Sequence, residues 1–431
     1  MAAAAAGAHA QTPPAAPPSA ASVPAPAVAA LATPMTLATA TSSALATNPS
    51  ARASGYQFEQ AQAKLAQAQA QLRSQITFSS SVGVSNAAVI QPPPGNETFG
   101  IFANSINVPL AVGRRNRLAV DQATAQLDAA RAQFDAARLT LSAQVSANYY
   151  DVLRKQALLL IAQDTEASAQ RQLSDARKRF AAGDVPELDV LRAQGPVSTA
   201  EAARYAAENA VAIARQTLNA TLGRTLDEAV GVAELAAPPV SPAVTLTAAR
   251  DQARQNNPDV RAALATVHAD EIARRVAGLS REPVYGLQAS DVRSNDQTGF
   301  SRLDNVQATV TIPLSDGGLA KAQAREADAA LLQARAQADT AGRTAEATAS
   351  AAYLNLQSSV RQIAAADTAR QIATTAYDKT RQGYESGLFP LSDVLNAQSA
   401  LTQARIAYTQ ALYDAAVATV TLNNSLGILP Q

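Results

Sequence analysis

The chain is written twice. Val108-Pro109-Leu110-x-x-Gly113 returns as Ile312-Pro313-Leu314-x-x-Gly317, and Ala130-Arg131-Ala132-Gln133-x-Asp135 returns as Ala334-Arg335-Ala336-Gln337-x-Asp339. Gly183-x-x-Pro186-x-x-Asp189-Val190-Leu191-x-Ala193-Gln194 returns as Gly387-x-x-Pro390-x-x-Asp393-Val394-Leu395-x-Ala397-Gln398. Leu218-Asn219-x-x-Leu222-Gly223 returns as Leu422-Asn423-x-x-Leu426-Gly427, and all four matches share one shift of 204 residues. Farther upstream, Asn48-Pro49 answers Asn257-Pro258 at a shift five residues larger, so the length difference lies between them. Shared alanines would be weak evidence, but matched Gly, Pro and Asp punctuation marks a tandem duplication. A fold for this chain must use one unit twice, over 35–223 and 247–431. The segment 224–246 between them carries Pro238, Pro239 and Pro242 and reads as a linker.

Each copy has the same order. A helix of about 34 residues (near 41–74 and 247–280) precedes two strands, a helix of about 70, a tight turn and a helix of about 36. In the first long helix Ala123, Leu127, Ala130, Phe134, Ala137 and Leu141 alternate spacings of four and three, a coiled-coil seam. Leu331, Ala334, Ala338, Ala341 and Ala345 form the matching, slimmer seam. A helix of about 70 residues spans roughly 105 Å at 1.5 Å per residue. The 36-residue helix and the helix opening the next copy sum to that length, so one continuous helix can lie beside two stacked end to end.

Between the helices the pattern changes to period two. Ile76, Phe78, Val82 and Val84 share one face against Gln75, Thr77, Ser79, Ser81 and Ser85. Val306, Ala308, Val310, Ile312 and Leu314 alternate with Gln307, Thr309 and Thr311 in the same way. Less regular strands are expected near 98–110 and 284–292, with polar connections at 91–96 and 294–299. Strands of about ten residues suit a tilted membrane barrel, and equally a soluble hairpin. Four strands cannot close a barrel, and open sheet edges are not stable in lipid, so strands in a membrane would demand oligomerisation.

Composition agrees with slim helices. Roughly a quarter of the chain is alanine, the best helix former and small enough for close packing. The 35 basic and 35 acidic residues balance, which removes the electrostatic argument for a nucleic-acid partner. Absence of Cys excludes disulfides, thiol catalysis, Cys-ligated metal and a lipoprotein anchor. His9 and His268 stand apart, and no phosphate loop or metal-spaced cluster occurs, so no enzyme activity, cofactor or metal site is expected. Residues 1–34 read as a leader. Ala2–Ala6 and Ala8-His9-Ala10 fit the end of a secretory signal cleaved before Gln11, or an Ala-rich disordered start, and Pro13 to Pro34 fit an extended tether.

The duplication, the junctions Val108-Pro109-Leu110 and Ile312-Pro313-Leu314-Ser315-Asp316-Gly317-Gly318, and the turn Tyr384-Glu385-Ser386-Gly387-Leu388-Phe389-Pro390-Leu391-Ser392-Asp393-Val394-Leu395 together resemble the TolC-type outer-membrane efflux family over about 36–429. The fold expected from this is mainly α with a small β part. Duplicated long coiled-coil helices would form an α-barrel, and four strands per chain would join a trimeric twelve-stranded β-barrel. The resemblance implies a homotrimeric duct in the bacterial outer membrane with a long periplasmic extension. It would receive substrates from a periplasmic adaptor (membrane fusion) protein and an inner-membrane pump, in efflux or type I secretion. The alternative is a soluble periplasmic coiled-coil adaptor or scaffold, which would lack paired strands before each long helix.

The two turns have a physical logic of their own. Gly183 and Gly387 suit left-handed helix caps, and Pro186 and Pro390 suit the start of the next helix. The resemblance makes Gly183, Asp184, Val185, Gly387, Leu388 and Phe389 the adaptor-contact tips. It places a constriction at Asp393 and Tyr384, with Asp189 at the equivalent place in the first turn. A second acid is replaced by Asn396 and a basic gate position by Phe389, so a single acidic ring is expected, favouring cations. Helix N-terminal charge complementation is the other reading of Asp189 and Asp393. Gly195-Pro196, where the second copy has Ser399-Ala400, is expected to kink the helix and reshape the first tip.

Overall fold

The structure, a computed structural model, describes residues 34–73, 75–89, 95–110, 114–233, 244–279, 281–296 and 299–428. The leader up to residue 33 and most of the Pro-rich linker lie outside the described residues, as does 91–94 of the first hairpin connection. The first copy runs α1 (Leu37–Thr47), α2 (Pro49–Ala70), β1 (Thr77–Val89), β2 (Gly95–Leu110), α3 (Arg114–Ala182) and α4 (Glu187–Leu222). The second runs α5 (Leu246–Asn256), α6 (Pro258–Ala277), β3 (Val284–Asp296), β4 (Gly299–Thr311), α7 (Leu319–Glu385) and α8 (Leu391–Ser425).

The opening helix of each copy is broken, where the sequence pattern suggested one continuous piece. Asn48 and Asn257 adopt extended backbone, and each side chain caps the next helix by accepting from the N–H two residues on. Pro49 and Pro258 follow at the first helical position, where a missing N–H costs nothing. A residue before proline is pushed out of the helical region, so the same dipeptide ends one helix and starts another.

These breaks receive the ends of α4 and α8. Thr47 Oγ1 donates to Leu222 O at 2.6 Å and Asn48 Nδ2 to Thr221 O at 2.7 Å, satisfying carbonyls that the end of α4 leaves open. Gly223 and Gly427 cap α4 and α8 in left-handed conformations, with φ of 72° and 76°. A Cβ at Gly223 would lie 2.9 Å from Thr47 O, and one at Gly427 would lie 2.7 Å from Asn256 O. Only glycine fits either place. The stacking is thus within each copy, α4 with α1–α2 and α8 with α5–α6, and not with the helix opening the next copy. Next to the first joint, the buried Tyr149 hydroxyl sits 2.7 Å from Ala233 O and 3.0 Å from Met35 O, strapping the chain that leaves α4.

The 69-residue α3 is packed on both sides. It contacts α2 and α4 on one flank and α6 and α8 on the other. One seam was expected, but two buried stripes occur. Ala123 and Leu141 are buried and Phe134 stacks on Phe58 of α2, while Leu118 and Ala125 join Ala269 and Ile272 of α6 in a separate cluster. Its duplicate α7 buries Leu331, Ala334 and Ala345 of the expected seam but touches only α5, α6 and α8. The other flank of α7 stays open, with Leu332, Leu354 and Ile372 exposed.

The four strands form one antiparallel sheet in sequence order, so β2 of the first copy pairs with β3 of the second. The register puts Phe78 opposite Ile106, Val108 opposite Leu287 and Ala289 opposite Val306 on one face. That face is exposed and largely apolar. Its charges, Asp291, Arg293, Arg302 and Asp304, neutralise one another in a closed set of ion pairs. Hydroxyl and amide side chains occupy the other face, where Ser79 meets Ser105 and Gln307 donates to Gln288. The strands run longer than expected at the hairpin ends, taking in Asn96 and residues 294–296. β4 stops at Thr311, before Pro313, which has no N–H for a ladder.

At the β4–α7 junction Asp316 accepts from the N–H of Gly318 and Ala320 and from Arg281. The Arg281 bond, with those two N–H groups, holds its carboxyl down to about 2. The folded-state value is depressed, so this cap is intact above the ordinary carboxylate range near 4 and is lost as pH falls through about 2. Amide exchange at Gly318 and Ala320 is expected to accelerate over that acid window, and to be fast already at neutral pH in Asp316→Ala. For the joints, Gly223→Ala and Gly427→Ala should each cost about 1–3 kcal/mol. Gly55→Ala, whose Cβ would meet the Phe134 ring at 3.8 Å, should be neutral or stabilising in unfolding experiments.

Candidate functional site at the helical tips

Each copy ends in a helical hairpin, and both turns are built alike. Gly183 and Gly387 have φ of 80° and 78°. Asp184 N–H donates to Arg179 O and Gly183 N–H to Phe180 O, and Leu388 and Gly387 repeat the pattern onto Gly383 and Tyr384. This is the double bond pattern that closes a helix with a left-handed glycine. Pro186 and Pro390 then open α4 and α8 with matching extended backbone. The expected distortion of the first tip by Pro196 is absent. α4 runs unbroken through it, some three turns above the turn, and the lost hydrogen bond is confined there.

The side chains differ where the backbones agree. Gly183, Asp184, Leu388 and Phe389 are exposed, Leu388 to 77%, so the second tip is the more apolar. Val185 is half-buried. Gly387 and Gly183 would each have room for a side chain, so it is their positive φ that calls for glycine. The Phe389 ring folds back over Gly383, where a Cβ would lie 2.1 Å from the ring edge.

Above the turns the hairpins share a small core. Leu173 and Ala176 of α3, Ala193 of α4 and Leu391 of α8 are buried together, with Tyr384, Val190 and Leu395 against them. Arg179, in the last turn of α3, reaches across to the second hairpin. Its guanidinium donates to Tyr384 O at 2.9 Å and Glu385 O at 3.0 Å, and lies 4.5 Å from the Tyr384 ring centre. Burial pushes the Tyr384 hydroxyl above the usual phenol range, and the nearby Asp189 charge adds to this against Arg179. That hydroxyl is buried without a partner in the chain.

Of the sequence-derived constriction residues, Tyr384 and Asp189 come together at this inter-hairpin seam, where Asp189 faces Arg192 at 3.8 Å. Asp393 and Asn396 stand apart, exposed one helical step from each other on α8. Both Asp189 and Asp393 also sit in the first turn of a helix, so dipole complementation applies to each. Among the described residues no group of three or more His, Cys, Asp or Glu side chains gathers to hold a metal ion. No described helix is long and apolar enough to cross a membrane. Arg179 and Gly383 were missed in the sequence. The signal for both lay in the duplication, since they are the same position in the two copies and could hardly differ more.

An open-edged antiparallel sheet with an exposed apolar face, carried on two long helical hairpins, defines a subunit of a channel whose barrel and tube are completed by other subunits. The chain belongs to the outer membrane efflux protein family, whose model matches residues 40–224 and 249–428. It is 27% identical over 359 residues to the outer membrane efflux protein BepC of Brucella suis, covering 82% of this chain and 77% of that one. It is also 27% identical to the cobalt-zinc-cadmium resistance protein CzcC of Cupriavidus metallidurans, covering 75% and 76%. The fold matches the outer membrane protein VceC of Vibrio cholerae with a TM-score of 0.75 at 22% identity, over 91% of this chain and 96% of that one. Family membership sets aside the soluble adaptor alternative and places the chain in the outer membrane.

Gly383→Ala is expected to expel the Phe389 ring and loosen the second tip, whereas Gly183→Ala should strain the backbone alone. Limited trypsin digestion should then cut faster after Arg381 in the first variant and leave that site unchanged in the second.

Proposed function

We propose that three copies of this chain form a passive duct that receives substrates from a periplasmic adaptor and an inner-membrane pump and releases them outside the cell. The observation that carries this is the unequal packing of the duplicated helices. α3 has neighbours on both flanks, and α7 has them on one. By the duplication, the missing neighbours of α7 are the α2 and α4 of another copy, a head-to-tail contact that closes into a ring. The sheet makes the same demand. β1 and β4 are free edges, and in lipid their backbone groups are satisfied only by the next subunit's strands. Three sheets supply twelve strands, a sufficient number for a channel.

In this reading 35–223 and 247–431 are the two repeats, and 224–246 is an equatorial linker after a leader over 1–34. The break in the family match between 224 and 249 supports these boundaries. Gly183, Asp184, Val185, Gly387, Leu388 and Phe389 face the adaptor, in keeping with the exposed apolar groups there. Tyr384 and Asp189 hold the constriction, while three copies of Asp393, with Asn396 beside them, form one acidic ring. The chain does no chemistry and takes export energy from its pump.

Reconstitution into a planar bilayer tests the reading. The wild-type protein is expected to give cation-selective channels, and Asp393→Asn to reduce the cation-to-anion permeability ratio severalfold. Unchanged selectivity would remove Asp393 from the constriction, and a protein that carries no current would defeat the duct.

A further inference from the structure

Resting on the duct reading, we propose that Arg179 is a one-sided latch that keeps the second tip closed against the first. Its contacts are all with the other hairpin. Two carbonyl oxygens at the end of α7 accept from its guanidinium at 2.9 and 3.0 Å, and its plane covers the Tyr384 ring. These carbonyls are groups that a helix end leaves without intrahelical partners, and they carry the negative end of the helix dipole. A planar fork with several donors can hold two neighbouring carbonyls and an aromatic face at once, which an ammonium cannot.

The duplication shows that this grip was not inherited by symmetry. The equivalent of Arg179 in the second copy is Gly383, and a side chain there is excluded by Phe389. The second hairpin therefore offers no reciprocal arm, and the first holds it alone. Two other features mark α7 as the mobile side. Its outer flank has no partner within the chain, and its last-turn Tyr384 hydroxyl is buried without a hydrogen bond. The remaining ties between the hairpins lie farther from the turn, between Gln172 and Gln398 and between Thr165 and Thr402 at 3.4 Å. Releasing Arg179 frees the turn while those ties keep the helices together. Arg179 is a positioning residue: it lines no proposed ring of charge, and it acts through Tyr384 and the α7 terminus.

The absence of native cysteine allows paired spin labels at Asp184→Cys and Leu388→Cys, with labelled chains diluted in unlabelled ones. The wild type should show one narrow inter-tip distance, and Arg179→Ala a broad distribution. In bilayers, Arg179→Ala should raise the open-to-closed ratio about tenfold, the factor expected for one lost charge-assisted hydrogen bond. Arg179→Lys should fall between the two, and full restoration by lysine would contradict the two-carbonyl grip. Phe180→Ala, at the neighbouring position, should leave both readouts unchanged. Trimer yield and thermal stability are measured alongside, and if Arg179→Ala does not assemble, Tyr384→Leu, which removes the stacked face, takes its place with the same expectations. Wild-type conductance in the Arg179 variant overturns the proposal. A wild-type protein that carries no current overturns the duct reading instead, and the spin-label distances then decide the latch by themselves.

Discussion

Two glycines pressed against two Asn-Pro breaks organise this molecule. At each joint a left-handed residue ends one helix within contact distance of the backbone where another begins, and side chains of the break take up the free carbonyls. That contact turns two short helices into a composite strut that runs beside one long helix. A single helix of some 70 residues has no tertiary partner of its own length here. It becomes a wall element because the struts lie along it, α4 with α2 on one flank and α8 with α6 on the other. Had either glycine been any other residue, its Cβ would have entered the facing backbone and the strut would have parted at the middle of the tube.

Alanine follows from the same constraint. Struts and long helices approach closely only if the buried positions are small, and much of the buried stripe is alanine, from Ala125 and Ala132 to Ala349 and Ala352. No thick core exists to be filled. Larger side chains gather where elements change direction: Tyr149, Leu218 and Leu222 at the first joint, Leu356, Leu422 and Leu426 near the second, and Leu173 with Leu391 above the tips. The duplication then leaves a deficit that one chain cannot meet, because the second long helix lacks the strut that flanks the first.

Much of this was legible in the residues. Gly/Pro/Asp punctuation located both turns and both strand-to-helix junctions, and period-two alternation located the sheet and its apolar face. What escaped was long-range. Asn48-Pro49 and Asn257-Pro258 served as markers of the repeat, yet their role as helix breaks depends on a helix end arriving from elsewhere in the chain. The second stripe of α3 was hidden because alanine satisfies almost any seam, so one period fitted as well as two. Pro196 was overweighted, since a long packed helix absorbs one missing hydrogen bond locally. At the tips, residue identity pointed to Tyr384 and Asp189, but the grip of Arg179 crosses from one hairpin to the other and has no local pattern. Comparing the copies position by position exposes it as a departure from Gly383.

The central claim is that one chain supplies a third of a closed wall. Native mass spectrometry of the protein extracted in mild detergent tests it most directly. The account predicts a single assembly of three chains, with cysteines placed on β1 and β4 cross-linking between subunits and never within one. A stable monomer or dimer that retains the sheet would contradict it, because the free strand edges and the open flank of α7 would then need no further copy.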